Sequence, residues 1–414
     1  MRPNPLILII THTDRDGLLS GAALLRALGG TPAPDIILTQ GCYLAEELDD
    51  LVASGRRYQA ICVTDTYWHP QAAARIRGGL CQLLNPGGKV AWIDHHPSSV
   101  EHADAIQAAL PFSARSRITG DREGRFEAVS LVAEAFGMEQ DPVVADLVKA
   151  ACHGWSRNRE AEPAGAQGWL EVVDGLARTP ELPVEQAADI IRALSGGFHT
   201  PIPAHLEPLA ATTRRIRART AERVLRDGWT RLPSAEGGWG LLLDLRQEPD
   251  VNAYELASGL AWAAGGRIDY FVTQEHPGLV HYVSGARARA ERNAQERGGM
   301  PHLRVSTFYK GGRRSATGRA ARGIDLAFLT RRQPAAELLG PWIDAHPYIV
   351  KAPWRRSAEV DGAAVRAAAM AIGEELGGLL GRCGWSDRDR RLRRCQATDQ
   401  KRSRPAGVPA TPRP

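Results

Sequence analysis

Three short apolar runs, each ending in acids and histidines, constrain this chain more than any other feature. Residues 6–10 lead into His12, Thr13, Asp14, Arg15, Asp16 and Gly17; residues 60–64 lead into Asp65; residues 90–93 lead into Asp94, His95 and His96. Runs of about five residues rich in aliphatic and β-branched side chains read as strands of a parallel sheet buried on both faces. In open α/β sheets, ligands bind outside the carboxyl ends of the strands. The pattern therefore predicts that His12, Asp14, Asp16, Asp65, Asp94, His95 and His96 converge in one crevice.

Carboxylates and imidazoles crowded into one crevice repel one another and shift their own pKa values unless cations sit between them. Divalent metal is the economical cation. A carboxylate-rich set with some imidazole suits a harder ion of the Mn or Mg kind, with Fe or Co as alternatives, and no Cys lies near the cluster to favour structural Zn. The donors suffice for two ions. A pair about 3.5–4 Å apart sharing one carboxylate is a common device for phosphoester hydrolysis. Any one of these residues alone reads as a core or capping group, and Asp16 could simply cap the helix that begins near Leu18. Three clusters at three strand ends, in this order, do not reduce to that.

The segment from His12 to Ala22, followed by Asp65 and then by Asp94, His95, His96 and Pro97, resembles motifs one to three of the DHH phosphoesterases. That family includes RecJ-type exonucleases, nanoRNases and small-nucleotide phosphatases. The resemblance implies that His12, Asp14 and Asp65 hold one Mn ion and that Asp16, Asp65 and His95 hold the other, with Asp65 bridging. It also implies catalytic roles for Asp94, which would orient a histidine, and for His96, which would face the phosphate. Far down the chain, Gly311, Gly312, Arg313, Arg314, Ser315, Ala316, Thr317 and Gly318 are similar to the Gly-Gly-His-x-x-Ala-Ser-Gly loop of the family's C-terminal substrate domain. Gly311, Gly312, Arg313, Ser315 and Thr317 would then bind substrate, since glycine-rich loops can cradle phosphate through backbone N–H groups. Arg287, in Ser284-Gly285-Ala286-Arg287, stands one residue later than the family's Ser-x-Arg that grips substrate.

Two departures from the family pattern matter. The fourth motif ends in an Asp that completes the second metal, whereas the equivalent stretch here carries His153. An imidazole can ligate Mn, Fe or Zn, so His153 is a substitute donor, with a plain loop histidine as the alternative. Asp146 lies seven residues earlier, two helical turns or roughly 10 Å along the axis, too far from a helix end that faces the metals. Secondly, Arg313 replaces the His of the glycine-rich loop. Arginine binds phosphate bidentately but cannot donate a proton as imidazole can.

A chain of 414 residues should hold two to three domains. The expected fold class is α/β: a doubly wound, mostly parallel sheet domain over residues 1–196, a linker with a helix over 197–235, and a smaller α/β substrate domain over 236–329. Residues 330–385 carry no readable motif and are expected to form a helical extension. In the basic tail, 386–414, nine Lys/Arg face three Asp, so the tail carries the whole excess of the formal +5 charge and the folded body is close to neutral. Such a tail reads as disordered and solvated, with weak nucleic-acid contact as the alternative. Six scattered cysteines without a CxxC pair read as reduced thiols. With no signal peptide ahead of the first run and no stretch of roughly 18 apolar residues, the expected compartment is the cytoplasm, with no membrane partner. The Arg-for-Lys bias with abundant Ala and Gly points to a high-GC bacterial genome.

These features support a metal-dependent phosphoesterase acting on short oligonucleotides or small nucleotides through a two-metal-activated hydroxide, with a homodimer as a compatible assembly. Aromatics at 6% and a neutral body argue against the stacking channel of a processive exonuclease on single strands. The reading from a different class is a degenerate relative that binds nucleotide as a non-catalytic regulator.

Overall fold

The computed structural model describes residues 7–29, 33–96, 99, 102–109, 127–155, 163–179, 181–224, 229–232, 239–245, 247–248, 250–263, 268–274, 282, 284–286, 289–290, 302–307, 344–346 and 349–353. Its architecture is α/β. The first sheet has four parallel strands in the order β2-β1-β3-β4, with β1 at Ile7–Thr11, β2 at Asp35–Leu38, β3 at Tyr58–Thr64 and β4 at Leu84–Ile93. Parallel neighbours need crossovers. They are supplied by α1 (Arg15–Ala27), α2 (Leu44–Ala53) and α3 (Ala73–Leu83).

Both faces of the sheet are covered, which is why its strands read as continuous apolar runs rather than alternating ones. Leu8 and Ile10 of β1 pack with Leu44, Leu48, Ile76 and Leu80 from α2 and α3. Ile9 turns the other way, onto Leu18, Leu19 and Ala22 of α1, and joins the larger core built with α5 (Ala128–Phe136), α6 (Pro142–Trp155), α7 (Ala166–Leu176) and α8 (Val184–Leu194). A short helix, α4 (Ala103–Ala109), precedes them. Each fully buried aliphatic side chain contributes about 1.5–3 kcal/mol, so the two half-cores anchor the sheet strongly from both sides.

The long helix α9 (Glu207–Val224) packs against α7, and its arginines meet acids there: Arg214 reaches Glu171 at 2.7 Å and Arg217 reaches Asp174 at 3.1 Å. A second sheet follows, in the order β5-β6-β7-β8-β10-β9. Its strands are β5 (Thr230–Leu232), β6 (Trp239–Asp244), β7 (Ile268–Gln274), β8 (His302–Thr307), β9 (Asp344–His346) and β10 (Ile349–Pro353), with α10 (Ala253–Ala263) between β6 and β7. Only β6 and β7 pair in parallel.

One expectation needs correcting. The second sheet does not stop by residue 329: β10 pairs antiparallel with β8 from within the stretch expected to be helical. Five residues with a lysine at the centre and a proline at the end give too weak a strand signal to be read without their partner. Of the residues before Arg287, Tyr282 and Ser284 lie outside any strand. Instead Ser284 sits on the edge strand β2, donating its N–H to the Leu38 carbonyl at 2.9 Å while its Oγ accepts the Leu38 N–H at 3.0 Å. An edge strand otherwise leaves such groups unpaired. Arg287 and the stretch 311–318 lie outside the described residues. Among the described residues no helix is long and apolar enough to cross a membrane.

Beside this edge contact, Glu47 of α2 is fully buried and its Oε1 accepts the Gly285 N–H at 2.7 Å. Burial, reinforced by Asp50, pushes its carboxyl up to about 8 despite that hydrogen bond. A carboxyl that holds its proton more tightly folded than unfolded stabilises the fold below its unfolded pKa, and that contribution fades as pH rises through the folded value. The denaturation midpoint should therefore drop between pH 6 and pH 9, and Glu47→Gln should remove much of that drop. An unchanged pH slope in the variant would show that the contact is indifferent to this proton.

Candidate metal centre

The chain leaves β1 for β2 on one side and then crosses back to β3 on the other, so the C-terminal ends of β1 and β3 flank the topological switch point where α/β sheets form their crevice. His12 follows β1 directly, Asp65 follows β3 and Asp94 follows β4. Asp14 is the N-cap of α1, its Oδ1 accepting the Gly17 N–H at 3.0 Å, and Asp16 lies in the first turn. A Cβ at Gly17 would stand 2.5 Å from the His12 carbonyl oxygen, so only glycine lets the helix start this close to the strand end.

Asp65 is the centre of the arrangement. It is 1% exposed and neither carboxylate oxygen has a hydrogen-bond partner. Around it, His95 Nε2 lies 3.2 Å from Oδ1, His96 Nδ1 3.9 Å from Oδ1 and His12 Nδ1 4.0 Å from Oδ2. His12 Nδ1 is also 3.0 Å from Asp14 Oδ2, and His95 Nε2 is 3.6 Å from Asp16 Oδ2. Asp65 has φ +52°, the one non-glycine with positive φ among the described residues. Asp tolerates this left-handed conformation better than most residues, yet it still costs about 1–2 kcal/mol. Strain and an orphaned buried carboxylate at one residue mark a position held for something other than stability.

Asp94 is fully buried and its Oδ1 lies 2.7 Å from His96 Nδ1, so the histidine it orients is His96. Asp16 is also structural, because its Oδ2 accepts the Ala128 N–H at 2.6 Å and its Oδ1 the Val129 N–H at 3.1 Å, which caps α5. Next to Ala128 stands Glu127, whose carboxylate joins Asp16 and His95 in a cluster of donor atoms all within 4.8 Å of one another. Sequence reasoning missed Glu127. The available signal was an acid directly before an apolar helix, but an N-cap role explained it equally well.

The electrostatics follow from crowding. Burial raises the Asp65 carboxyl well above the usual carboxylate range, and Asp16 and Asp14 add to the effect. Asp16 is raised for the same reasons, and Glu127 is pushed up to about 8 by burial and by Asp16. Desolvation opposes ionisation of Asp14 and Asp94 as well, but His12 and His96 respectively hold them below the ordinary value. Burial also disfavours imidazolium, yet it is outweighed: Asp14 raises His12, Asp16 raises His95, and Asp94 lifts His96 to about 9. Without a cation, the crevice balances its acids by holding protons.

The donors fit a divalent metal. Three groups of three residues each bring one ligand atom within 4.8 Å of the others: His12, Asp14 and Asp65; Asp65, His95 and His96; Asp16, His95 and Glu127. Carboxylate oxygens with imidazole nitrogens suit Mn, Mg, Fe or Co. The other expected donor, His153, lies on α6 with its side chain outside the described residues, and Asp146, set aside for its distance, is half-buried and paired with Lys149 at 3.2 Å.

Among solved structures, the chain is similar to a protein described as a member of the s1p family of ribosomal proteins, DHH domain. The likeness has a TM-score of 0.53 at 15% identity and covers 90% of this chain and 87% of that one. This chain has the DHH-domain fold. Lower similarities include RecJ in complex with Mn2+ from Thermus thermophilus, with a TM-score of 0.45 at 14% identity over 89% of this chain and 52% of that one. Another is exonuclease RecJ bound to manganese, with a TM-score of 0.42 at 15% identity over 89% of each chain. No family model and no curated protein matches the chain.

Two measurements follow from this geometry. Asp65→Asn removes a carboxyl whose ionisation burial and the neighbouring acids oppose, and Asn suits the left-handed backbone at least as well, so the metal-free variant should be more stable than wild type by about 1 kcal/mol near neutral pH while losing metal affinity. A variant that is less stable and still binds metal would break the link between strain and ligation. Since ligation requires neutral imidazole, metal binding near pH 7 should also release protons. Calorimetry in buffers of different ionisation enthalpy would detect them, and zero release would exclude these histidines as ligands.

Proposed function

We propose that this chain is a DHH-type, metal-dependent phosphoesterase that hydrolyses phosphoester bonds in short oligonucleotides or small nucleotides. The observation that carries the reading is Asp65. It is a buried, strained carboxylate without a hydrogen-bond partner, at the switch point of a DHH-domain fold, ringed by donors from two other strand ends.

In this reading His12, Asp14 and Asp65 hold one divalent ion and Asp16, Asp65 and His95 the other, with Mn the best match to the donor set. When bound, such ions supply Lewis acidity and a nucleophile at neutral pH. The remaining chemistry belongs to the side chains. Asp94, kept ionised, fixes the His96 ring through Nδ1 and leaves Nε2 for a non-bridging phosphate oxygen. Held in place by Asp94, the His96 ring can meet that oxygen as a hydrogen-bond donor and stabilise the charge that builds there. The second sheet's segment would bring Arg287 and the loop Gly311, Gly312, Arg313, Ser315 and Thr317 to the rest of the substrate. A near-neutral body with 6% aromatics favours a small substrate over a long single strand.

Purified protein with Mn should release p-nitrophenol from bis-p-nitrophenyl phosphate. Chelation should abolish this activity, and Asp94→Asn should lower kcat by about 100-fold or more by misorienting His96. Tight metal and nucleotide binding with no turnover of any phosphoester, under Mn, Mg, Fe or Co, would instead identify a non-catalytic nucleotide binder.

A further inference from the structure

We infer that Glu127 is a metal ligand of this crevice, set beside His95 by the cap that Asp16 places on Glu127's own helix. The inference rests on the two-ion reading above. A carboxylate oxygen of Glu127, one of Asp16 and a ring nitrogen of His95 lie within 4.8 Å of one another. Glu127 occupies the N-cap position of α5, where an acid normally accepts the first backbone N–H groups with its own side chain. Here it makes no such hydrogen bond. Asp16 does this instead, taking the N–H groups of both Ala128 and Val129. The substitution has two consequences. It leaves the Glu127 carboxylate without a capping role and fixes its backbone next to Asp16. It also occupies lone pairs on both oxygens of Asp16, so that residue alone is a poor sole carboxylate for this side of the crevice.

An independent observation points to a cation at the same place. His95 Nε2, the nitrogen 3.6 Å from Asp16 Oδ2, lies 3.2 Å from Oδ1 of Asp65, whose two oxygens are buried without hydrogen-bond partners. An ion among Asp16, Glu127 and His95 would therefore also lie on the side of Asp65 that His95 faces. The sequence alone offered His153 for this fourth position, on the strength of its place in the chain, and its side chain lies outside the described residues; Glu127 meets the geometric requirement.

The test is to count Mn per chain after equilibrium dialysis and to record the electron paramagnetic resonance spectrum for wild type, Glu127→Gln and Glu127→Asp. Wild type should bind two ions with a spin-coupled spectrum. Glu127→Gln, isosteric and with the α5 cap intact, should bind one ion with the six-line spectrum of isolated Mn, the affinity of the second falling by about 100-fold or more. Glu127→Asp, shorter by one methylene, should keep the pair with a weakened second site, which reads out ligation even if the Gln variant folds poorly. A metal-free circular dichroism melt checks the fold. Two tightly bound, coupled ions in Glu127→Gln would overturn the assignment of Glu127 and leave the two-ion reading intact. A wild type that binds no second ion would overturn both.

Discussion

Asp65 sits where the electrostatics of this protein are least comfortable: a carboxylate sealed from water, in a left-handed backbone conformation, with two other acids close enough to raise its pKa further. Much around it is arranged to tolerate that placement. Three histidines from two other strand ends lie within 4.0 Å of its oxygens. Its backbone N–H donates to the Ile93 carbonyl at 3.0 Å, which ties the turn after β3 to the end of β4. The hydrophobic half-cores on either side of the sheet supply the stability that this crevice consumes.

The acids of the first motif do more than face the crevice. Asp14 starts α1 and Asp16 caps α5, so two donors also define where two helices begin. Arg15, between them, points elsewhere. Its guanidinium grips Asp174 of α7 at 3.0 and 2.7 Å, and Asp174 also accepts from Arg217 of α9. These half-buried charge-assisted hydrogen bonds link the turn after β1 to the long helix that leads into the second sheet. The geometry of the crevice and the seating of α9 thus share a few residues, and a change at Arg15 or Asp174 would disturb both.

A third link joins the two sheets more directly, where Ser284 and Gly285 meet Leu38 and Glu47. The residue expected to introduce a substrate grip is engaged at the edge of the first sheet. That contact protects β2 and holds this part of the second half against the first.

The three parallel strands β1, β3 and β4 and the convergence of seven acids and histidines were legible in the sequence. A strand buried on both faces must be apolar throughout, and the residue that ends it must be polar to meet water or a ligand. The helices α1 and α9 were legible for the same kind of reason, a local period matched to one kind of burial. The four-residue β2 and the strands β9 and β10 were not, because so few residues carry little periodicity and their pairing partners lie far away in the chain. That Asp16 rather than Glu127 caps α5 depends on groups brought together across 112 residues of sequence, and the choice between neighbouring His95 and His96 as the ring Asp94 orients depends on how packing turns each side chain. The sequence by itself determined the chemistry available to this protein: which donors exist and which strand ends carry them. Only the tertiary structure decided which donors share an ion-sized space, because distances of three to four ångströms between residues remote in the chain are set by packing and have no local signature.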